Sequence, residues 1–552
     1  MKDRSGIIWP VNYADSVLLE VMMDSLYKEG LHRNQQLLLP PSLDDYVNED
    51  NAVRAIDAYV ELLEWSELGF SDTRKSNRAD GQKAYHPRLL LKIYIYGYLN
   101  KIRSSRALEK EVRRNIELMW LTQGLTPSYK TIADFRKENP KAMKKVFKEF
   151  VLLCKNIDLI EGKLIALDGA FLRANASKNR LIMKKGAKVE LKKVEESIEE
   201  YFNTLEYSDT QTSSISLVSK LPRDIEKLQM RKQRLEDDLA LLEAMKKEQY
   251  NRTDPDASLM SKPAHNLMAY NAQIAVDDSY KFIIATDVTS EGSDKKELHR
   301  MAKQVQESVD NDAMTLTADK GYYSAVEIKQ CADDNITTVV PPIRTGQEQK
   351  NKGKFGKEMF VYDPKQDGYI CPNNQLIPKS HSNHTSYQRT MDIYRTSSKV
   401  CGACPIKEKC LGEKTKHKQI QRWEHQQLID DYNGRMKTEA SKTIIKKRGS
   451  IVEHPFGTIK RTLGWDHYLV RGKEKVSGEN ALIMFAYNFR RLLNLIGIAL
   501  FQKLIVAVKE GNIEAIKVEI AIHIACFLGN MRLFFSKLPY ETKSTRFRVE
   551  YL

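Results

Sequence analysis

The sequence predicts an α/β protein in which a mixed sheet with flanking helices follows an all-helical N-terminal domain. Up to about residue 155, apolar residues recur at helical spacing. Beyond residue 160 short apolar runs replace this pattern, as expected for buried strands. Three early strand candidates are followed by alternating helix and strand, which is the order of a mixed α/β sheet.

The composition favours a large protein that binds a polyanion. The chain has 552 residues, of which 41% are apolar, enough for three or four domains of about 150 residues. Lysine and arginine number 88 against 73 aspartates and glutamates, so the net charge is 88 − 73 = +15. Such a balance favours nucleic acid or an anionic membrane surface. The longest uncharged runs, 492–502 and 520–531, are shorter than the roughly 18 apolar residues of a membrane span, so we expect no membrane partner.

The N-terminus and the cysteine usage indicate a soluble, cytoplasmic protein. The first residues, MKDRSGIIWP, include charges and no long apolar run, which does not fit a signal peptide. The chain has seven cysteines, four of them clustered. This pattern differs from the disulfide framework of a small secreted protein.

The predicted N-terminal domain, residues 1–155, has basic residues between its apolar positions. The segment TPSYKTIADFRKENP predicts a short helix that Thr126 caps, with Pro127 in its first turn and Pro140 at its end. Several short helices with basic faces fit a DNA-binding domain of the helix-turn-helix type. They fit equally well an ordinary helical domain with a solvated basic face.

Two strand candidates end in an aspartate that precedes a glycine-containing turn. The apolar run 164–167 leads into Asp168, and AMTLTADKGYYS places Asp319 at the end of a second run. Between them, NAQIAVDDSYKFIIATDVT predicts a hairpin with its turn at 277–279. TTVVPP, from Thr337, is a fifth strand candidate.

Two insertions are predicted to divide the sheet, which we place at residues 160–343 and 441–500, before a helical tail at 501–552. The first insertion, 182–248, has apolar residues at alternating three- and four-residue steps, the pattern of an antiparallel helical hairpin. Such a hairpin would brace DNA or a partner subunit, or be a solvated structural arm. Its apolar positions are Leu191, Val194, Ile198, Tyr201, Leu205, Leu235, Leu239 and Leu242. The second insertion, 344–440, contains the cysteine cluster.

Three carboxylates form a candidate metal site. A charged residue at the end of a buried strand is costly unless it is paired or bound to metal, and adjacent strands would bring Asp168 and Asp319 together. Glu453 lies in the basic segment KRGSIVEHPFGTIKR and would supply a third oxygen ligand for Mg²⁺ or Mn²⁺. Either aspartate taken alone is better explained as a common turn former. The basic segment around Glu453 favours the metal site.

Four other acids compete for a place in this site, and they all lie between the first two candidates. They are Asp254, Asp256, Asp287 and Asp294. Asp287 ends a predicted strand and is the best substitute for Asp168, although a structural or solvent-facing role fits it better.

The cysteine cluster is a candidate zinc site. Cys401 and Cys404 form a Cys-x₂-Cys pair, and Cys371 and Cys410 would complete four thiolate ligands, the set of a tetrahedral structural site. His381 and His384 are alternative ligands. Four reduced cytoplasmic thiols without a metal account for the pattern equally well.

Basic residues near the candidate acids are predicted to contact DNA. Lys320, Tyr322 and Tyr323 follow Asp319 directly and would reach a phosphate or stack on a base, although one of the tyrosines is expected to pack beneath the next helix. Residues 441–480 contain nine basic against four acidic residues, which fits a DNA-facing surface. The predicted phosphate contacts there are Arg448, Lys460 and Arg461.

These motifs together resemble the DDE transposases of bacterial insertion sequences. Asp168 in LIALDGAFL, Asp319 in LTADKGYYS and Glu453 in IVEHPFGTIKR resemble their three acids. Arg448, Glu453 and Lys460 resemble the arginine–glutamate–lysine signature of one branch, although the Arg448–Glu453 interval is one residue longer than usual. The resemblance extends over about residues 40–500.

The resemblance implies an RNase H-like core that uses Mg²⁺ or Mn²⁺ to cut and rejoin DNA. It further implies binding of terminal inverted repeats and of target DNA, a homodimer that joins two element ends, and location at the nucleoid when DNA is bound. Two alternatives stay open. One is an RNase H-like nuclease without strand transfer, and the other is a catalytically silent DNA-binding derivative of a transposase.

Overall fold

The computed structural model describes residues 41–71, 84–209, 221–261, 266–309, 314–343, 353–386 and 389–536. Predictions for residues 1–40 and for the end of the tail lie outside these ranges. The described residues up to Asn48 belong to one compact unit, and those from Glu49 onward belong to another. The described part of the first unit contains one 3₁₀ turn, Leu43–Tyr46.

Helices come first in the second unit, as predicted. They are α1 (Ala52–Leu62), α2 (Trp65–Leu68), α3 (Pro87–Leu99), α4 (Ser105–Val112), α5 (Ile116–Thr122), α6 (Tyr129–Glu138) and α7 (Pro140–Asn156). Helix α3 is the most buried of them. It even buries Lys92, whose ammonium forms ion pairs with Asp57 at 2.6 Å and Glu61 at 2.8 Å. A buried charge is tolerated when it is paired in this way.

The ends of α6 differ from the prediction. The N-cap is Ser128, whose hydroxyl accepts a hydrogen bond from the Thr131 N–H at 3.3 Å. Thr126 is therefore not the cap, because the helix begins two residues later than expected. Pro140 follows the end of α6, as predicted, and it is also the first residue of α7, a position where its missing N–H is harmless.

A six-stranded mixed sheet and a five-stranded antiparallel sheet follow these helices. The strands are β1 (Leu164–Arg173), β2 (Leu181–Met183), β3 (Gln249–Asn251), β4 (Ser258–Ser261), β5 (Asn266–Asp277), β6 (Ile283–Thr289), β7 (Thr315–Thr317), β8 (Thr337–Val339), β9 (Val361–Asp363), β10 (Gly368–Ile370), β11 (Leu376–Ser386), β12 (Arg389–Arg395) and β13 (Gln419–Trp423). The remaining helices are α8 (Lys184–Asp209), α9 (Leu221–Ala244), α10 (Leu298–Val309), α11 (Ala325–Asp333), α12 (Ser398–Gly402), α13 (Lys407–Cys410), α14 (Gln426–Arg435), α15 (Glu439–Gly457), α16 (Lys473–Glu510) and α17 (Ile513–Ser536).

The mixed sheet combines an antiparallel half with a parallel half. Strand β5 lies antiparallel to β1 on one side and to β4 and β6 on the other. Strand β1 pairs in parallel with β7, and β7 with β8. The predicted β5–β6 hairpin and the strand from Thr337 are confirmed.

Strand β1 is longer than predicted. The sequence suggested an end at Asp168, but the strand continues to Arg173 because β5 pairs with it from Ile165 to Arg173. Asp168 therefore lies within β1 and not at its tip.

Two long helices, α8 and α9, pack against each other between β2 and β3. They share a buried cluster of Ala187, Val194 and Leu235. Lys184 at the start of α8 lies 3.6 Å from Glu243 at the end of α9, so the helices run antiparallel. The side chain of Leu205 lies outside the described residues.

The five-stranded sheet has a core of its own. It follows the order β9–β10–β11–β12–β13. Its buried cluster consists of Phe360, Tyr369, Ile377, Tyr394 and Ile420. Cys371 and Cys410 pack against this cluster, so the cysteines are integrated into a small folded module.

Helix α16 connects the sheet to the N-terminal helices, and the domain boundary predicted at residue 500 falls inside it. By length and composition alone it could cross a membrane. In this fold it is a core helix, with Phe485 and Phe489 packed against Tyr59 and Phe150 at ring distances of 5.1–6.0 Å. It departs from helical geometry at Gly497 (φ 74°).

A buried carboxylate on α16 ties together three parts of the chain. Glu479 is fully buried and accepts from the N–H groups of Leu469 and Val470 at 2.9 and 3.1 Å. Its other oxygen lies 3.3 Å from the guanidinium of Arg136 on α6 and accepts from Tyr98 on α3 at 3.4 Å.

We predict that Glu479→Gln lowers the urea midpoint of unfolding markedly, because it leaves the buried Arg136 charge unpaired. Removing one partner of such a pair costs about 3–5 kcal/mol. Glu474→Gln on the same helix is the control, since Glu474 is exposed and 3.9 Å from Lys141, and a surface pair contributes about 0–1 kcal/mol. Equal midpoints for the two variants would contradict the prediction.

Candidate active site

The parallel register of β1 and β7 brings the two predicted aspartates level with each other. Ala166 pairs with Thr317, the last residue of β7. Asp168 lies two residues beyond Ala166, and Asp319 two residues beyond Thr317. The carboxylates therefore leave adjacent strands at the same height, as the sequence predicted.

Asp168 is largely buried among charges of both signs. Burial raises the pKa of Asp168 to about 6, and the nearby carboxylates of Asp319 and Asp294 add to the rise. The guanidinium of Arg448 and the N–H of Gly169 act in the opposite direction. At neutral pH the carboxylate is ionised at a cost to the folded state.

Asp319 begins a short turn. Its carboxylate caps the 3₁₀ helix Lys320–Tyr322 and accepts a hydrogen bond from the Gly321 N–H at 2.7 Å. Lys320 is exposed beside it.

Asp294 is the acid that the structure adds to the pair. It lies between β6 and α10 and accepts hydrogen bonds from Asn271 and Gln273 of β5, both at 2.7 Å. From the sequence, Asp294 was one of four competing acids, and Asp287 was the favoured substitute. The sequence did contain an indication of a polar site here, because Asn271 and Gln273 are polar residues at alternating positions of an otherwise apolar strand.

The other competitors have structural roles. Asp287 forms ion pairs with Arg300 and Lys144, so the structural role expected for it is confirmed. Asp254 is buried and accepts from the Tyr270 hydroxyl at 2.8 Å. Asp256 accepts from the Lys473 N–H at 2.9 Å.

Helix α15 carries the basic segment to the sheet. The Arg448 guanidinium lies 3.9 Å from the Asp168 carboxylate. Glu453 follows on the same helix and is exposed, with its Oε1 3.3 Å from the position of a Cβ on Gly449. Pro455 lies in the last turn of α15, where the chain passes into a π-helical turn, Thr458–Thr462.

The other predicted DNA contacts differ in exposure. Arg461 is exposed, and the Lys460 ammonium lies 5.3 Å from the centre of the Phe456 ring. Tyr322 is 1% exposed, and its hydroxyl donates to Gln273, so its prediction as a DNA contact is wrong. It is the tyrosine that packs inside, while Tyr323 is half-buried and donates to Asn433 at 3.0 Å.

A basic pocket of about 610 Å³ lies near the end of β1. Arg173, Arg180, Arg471 and His467 line it together with neutral residues. Arg471 is oriented by a hydrogen bond of 3.1 Å to the Asn175 carbonyl. The described lining contains no carboxylate, so the pocket suits an anion.

The four cysteines line one small cavity. It has a volume of about 30 Å³, and its lining includes Cys371, Cys401, Cys404 and Cys410, all free thiols. Burial raises the pKa of Cys410, as do the other three cysteines, while Lys418 lowers it. His381 is exposed on β11 outside this lining, and the side chain of His384 lies outside the described residues.

Within the described ranges, no three His, Cys, Asp or Glu side chains are placed so that they could hold a metal ion as they stand. The donor types nevertheless fit the two predicted ions. Oxygen donors gather around Asp168, as Mg²⁺ requires, and sulfur donors gather around the cysteine cavity, as Zn²⁺ prefers. Both metal sites stay predictions.

Comparison with known proteins adds family information. Residues 41–138 match the family profile described as Transposase domain (DUF772), and residues 370–493 match the Transposase DDE domain. Among solved structures, a cryo-EM structure of the piggyBac transposase synaptic complex with hairpin DNA is 9% identical, with 89% of this chain and 83% of that chain covered and a TM-score of 0.29. No curated protein matches the chain. The resemblance to transposases is confirmed by the two profiles.

We predict that Asp168→Asn stabilises the protein at pH 7.5 and much less at pH 4. The raised folded-state pKa means that wild type loses stability as pH rises from about 3.8 to about 6, and the variant has no such loss. The gain is about 1–3 kcal/mol, measured by urea unfolding in a chelating buffer. Glu291→Gln, at an exposed acid, is the control. A gain independent of pH would contradict the assignment.

Proposed function

We propose that this chain, which carries a transposase domain and a transposase DDE domain, is a DDE transposase of a bacterial insertion sequence. The observation that carries the proposal is the level placement of Asp168 and Asp319 on parallel strands, with Arg448 beside them. The order β6–β5–β1–β7–β8, antiparallel and then parallel, supports an RNase H-like core.

The proposed ligands of a divalent cation are Asp168, Asp319 and Glu453. Their oxygen atoms suit Mg²⁺ or Mn²⁺, and the like charges around Asp168 favour an added cation. When bound, such an ion activates the attacking oxygen of a phosphodiester displacement and stabilises the leaving one. Glu453 shares α15 with Arg448, so the helix that brings the third acid also brings a cation for the phosphate.

Basic residues around this centre would hold the DNA. Arg448 is within reach of a phosphate oxygen at Asp168, while Lys320 and Arg461 are exposed for backbone contacts. The basic pocket around Arg173 and Arg471 provides a further anion site on the strand that carries Asp168. Such contacts supply affinity without reading sequence.

The proposed reaction proceeds in two steps of the same chemistry. Water first attacks the phosphodiester at the element end and releases a 3′-hydroxyl, which then attacks a phosphodiester of the target DNA. The N-terminal helices would bind the terminal inverted repeats. Joining two ends requires two active sites, so we propose a homodimer that acts on DNA of the nucleoid.

We predict that Glu453→Gln binds a labelled element-end duplex as wild type does but cuts it about 100-fold more slowly in Mg²⁺ or Mn²⁺. The substitution keeps the size of the side chain and removes its charge, and losing one group that stabilises the transition state costs about 10²–10³ in rate. Gel analysis of cleaved and joined products gives both rates.

Glu439→Gln, at an exposed acid on the same helix, is the control and should cut normally. Equal cutting by Glu453→Gln would remove Glu453 from the site. Cleavage without joined products would favour a nuclease, and binding without cleavage by wild type would favour a silent DNA-binding derivative.

We also propose one structural Zn²⁺ at the cysteine cavity. The observation that supports it is the common cavity of Cys371, Cys401, Cys404 and Cys410. Metal analysis of the purified chain is expected to find about one zinc per chain, as a tetrahedral four-thiolate site holds one ion. Cys404→Ser should lower the content, and Cys526→Ser, at an exposed cysteine elsewhere, should not. A wild type without zinc would contradict the site.

A further inference from the structure

Asp294 is held beside Asp168 and Asp319 by two buried amides. Asn271 and Gln273 are both fully buried on β5, and each donates to the same Asp294 oxygen at 2.7 Å. Gln273 is itself oriented by the Tyr322 hydroxyl, which donates to its carbonyl oxygen. A strand interior tolerates polar side chains only when they are hydrogen-bonded, and here both amides orient one carboxylate.

Asn271 has an oxygen that the fold does not use. Its Oδ1 is buried and has no hydrogen-bond partner among the described residues. Leaving such an acceptor unsatisfied costs about 1–3 kcal/mol. The atom lies 3.0 Å from the position of a Cβ on Gly169, so it adjoins the residue that follows Asp168 on β1. A buried, unpartnered oxygen beside the Asp294 carboxylate indicates a positively charged ligand.

The two glycines that follow the predicted aspartates both adjoin Asp294. A Cβ on Gly169 would lie 2.8 Å from Asp294 Oδ1 and 2.5 Å from Gln273 Nε2. A Cβ on Gly321 would lie 3.7 Å from Asp294 Oδ2. Both distances from the Gly169 Cβ position are shorter than any ordinary Cβ contact. The absence of a side chain at Gly169 therefore makes room for Asp294. The sequence alone had suggested only that these glycines form turns.

We propose that Asp294 is a third carboxylate ligand of the divalent cation held by Asp168 and Asp319, with Asn271 Oδ1 as a further oxygen donor. Hard cations take several oxygen ligands, including amide carbonyls. The inference rests on the proposed function and adds a ligand from the β6–α10 loop, which is independent of α15.

The present contacts of these carboxylates show what an ion would displace. Asp319 accepts from the Gly321 N–H, and Asp168 faces Arg448 at 3.9 Å. Asp294 uses one oxygen for both amides and has its other oxygen toward Gly321. An ion held by these carboxylates would therefore replace the Arg448 guanidinium and the Gly321 N–H as their partners.

The test is calorimetric titration of the full chain with Mn²⁺ in the absence of DNA. Asp294→Asn keeps an oxygen for both amides and removes the charge. It is expected to weaken Mn²⁺ binding at least 10-fold, as Asp168→Asn does, while Glu291→Gln from the same loop binds as wild type does. Unchanged binding by Asp294→Asn, or no binding by wild type above that of Asp168→Asn, would overturn the proposal.

Gly169→Ala is a second variant that leaves every charge in place. Its added Cβ would displace Asp294, so it is also expected to weaken Mn²⁺ binding, with far-UV circular dichroism confirming the fold. Wild-type affinity in this variant would count against the proposal. Binding of element-end DNA is measured separately. A chain that binds Mn²⁺ through Asp294 but neither binds nor cuts end DNA would refute the transposase function and leave the ligand assignment standing.

Discussion

The parallel pairing of β1 with β7 is the contact on which the candidate site depends. It places Asp168 and Asp319 on neighbouring strands at one height. Burial raises the pKa of Asp168, and the nearby carboxylates of Asp319 and Asp294 raise it further. A positive charge near Asp168 would therefore be stabilising, and the Arg448 guanidinium of α15 supplies one such charge.

The rest of the molecule keeps α15 and the strands in place. Lys447 forms an ion pair with Asp278 in the β5–β6 turn, one residue before Arg448 approaches Asp168. Farther along the chain, Glu479 joins α16 to the N-terminal helices through Arg136. Because a buried ion pair costs much when one partner is lost, this contact makes the helical region and the sheet depend on each other. The N-terminal helices are thus part of the support of the site.

The sequence was informative where the signal was local. Apolar runs ending in Asp168 and Asp319 identified two strands and their acids, and the hairpin of β5 and β6 followed from alternating residues and a polar turn. Prediction from the sequence failed where contacts between residues far apart in the chain determine the structure. The pairing with β5 extends β1 past Asp168, and the packing of Tyr322 against Gln273 removes that tyrosine from the surface.

The position of Asp294 also depends on contacts between residues far apart in the chain. Nothing in its own neighbourhood distinguishes it from the other acids between Asp168 and Asp319, because what selects it is a pair of amides on a strand about twenty residues away. Pattern reasoning could have noticed Asn271 and Gln273 as polar residues facing one side of an apolar strand. Which acid they hold is a property of the assembled sheet.

The five-stranded sheet and its four cysteines form a module that is inserted without separating α15 from the mixed sheet. The chain departs after β8 and returns at α14, where the Tyr432 hydroxyl accepts from the Val340 N–H at 2.7 Å and donates to the Val340 carbonyl at 3.2 Å. Arg435 of the same helix donates to the Thr338 carbonyl at 3.1 Å. The chain therefore leaves the mixed sheet and returns to it at the same end of β8. Lengthening a loop whose ends are fixed adds little entropic cost. With its own core, the module enlarges the chain between Asp319 and Glu453 while α15 still reaches the sheet beside Asp168.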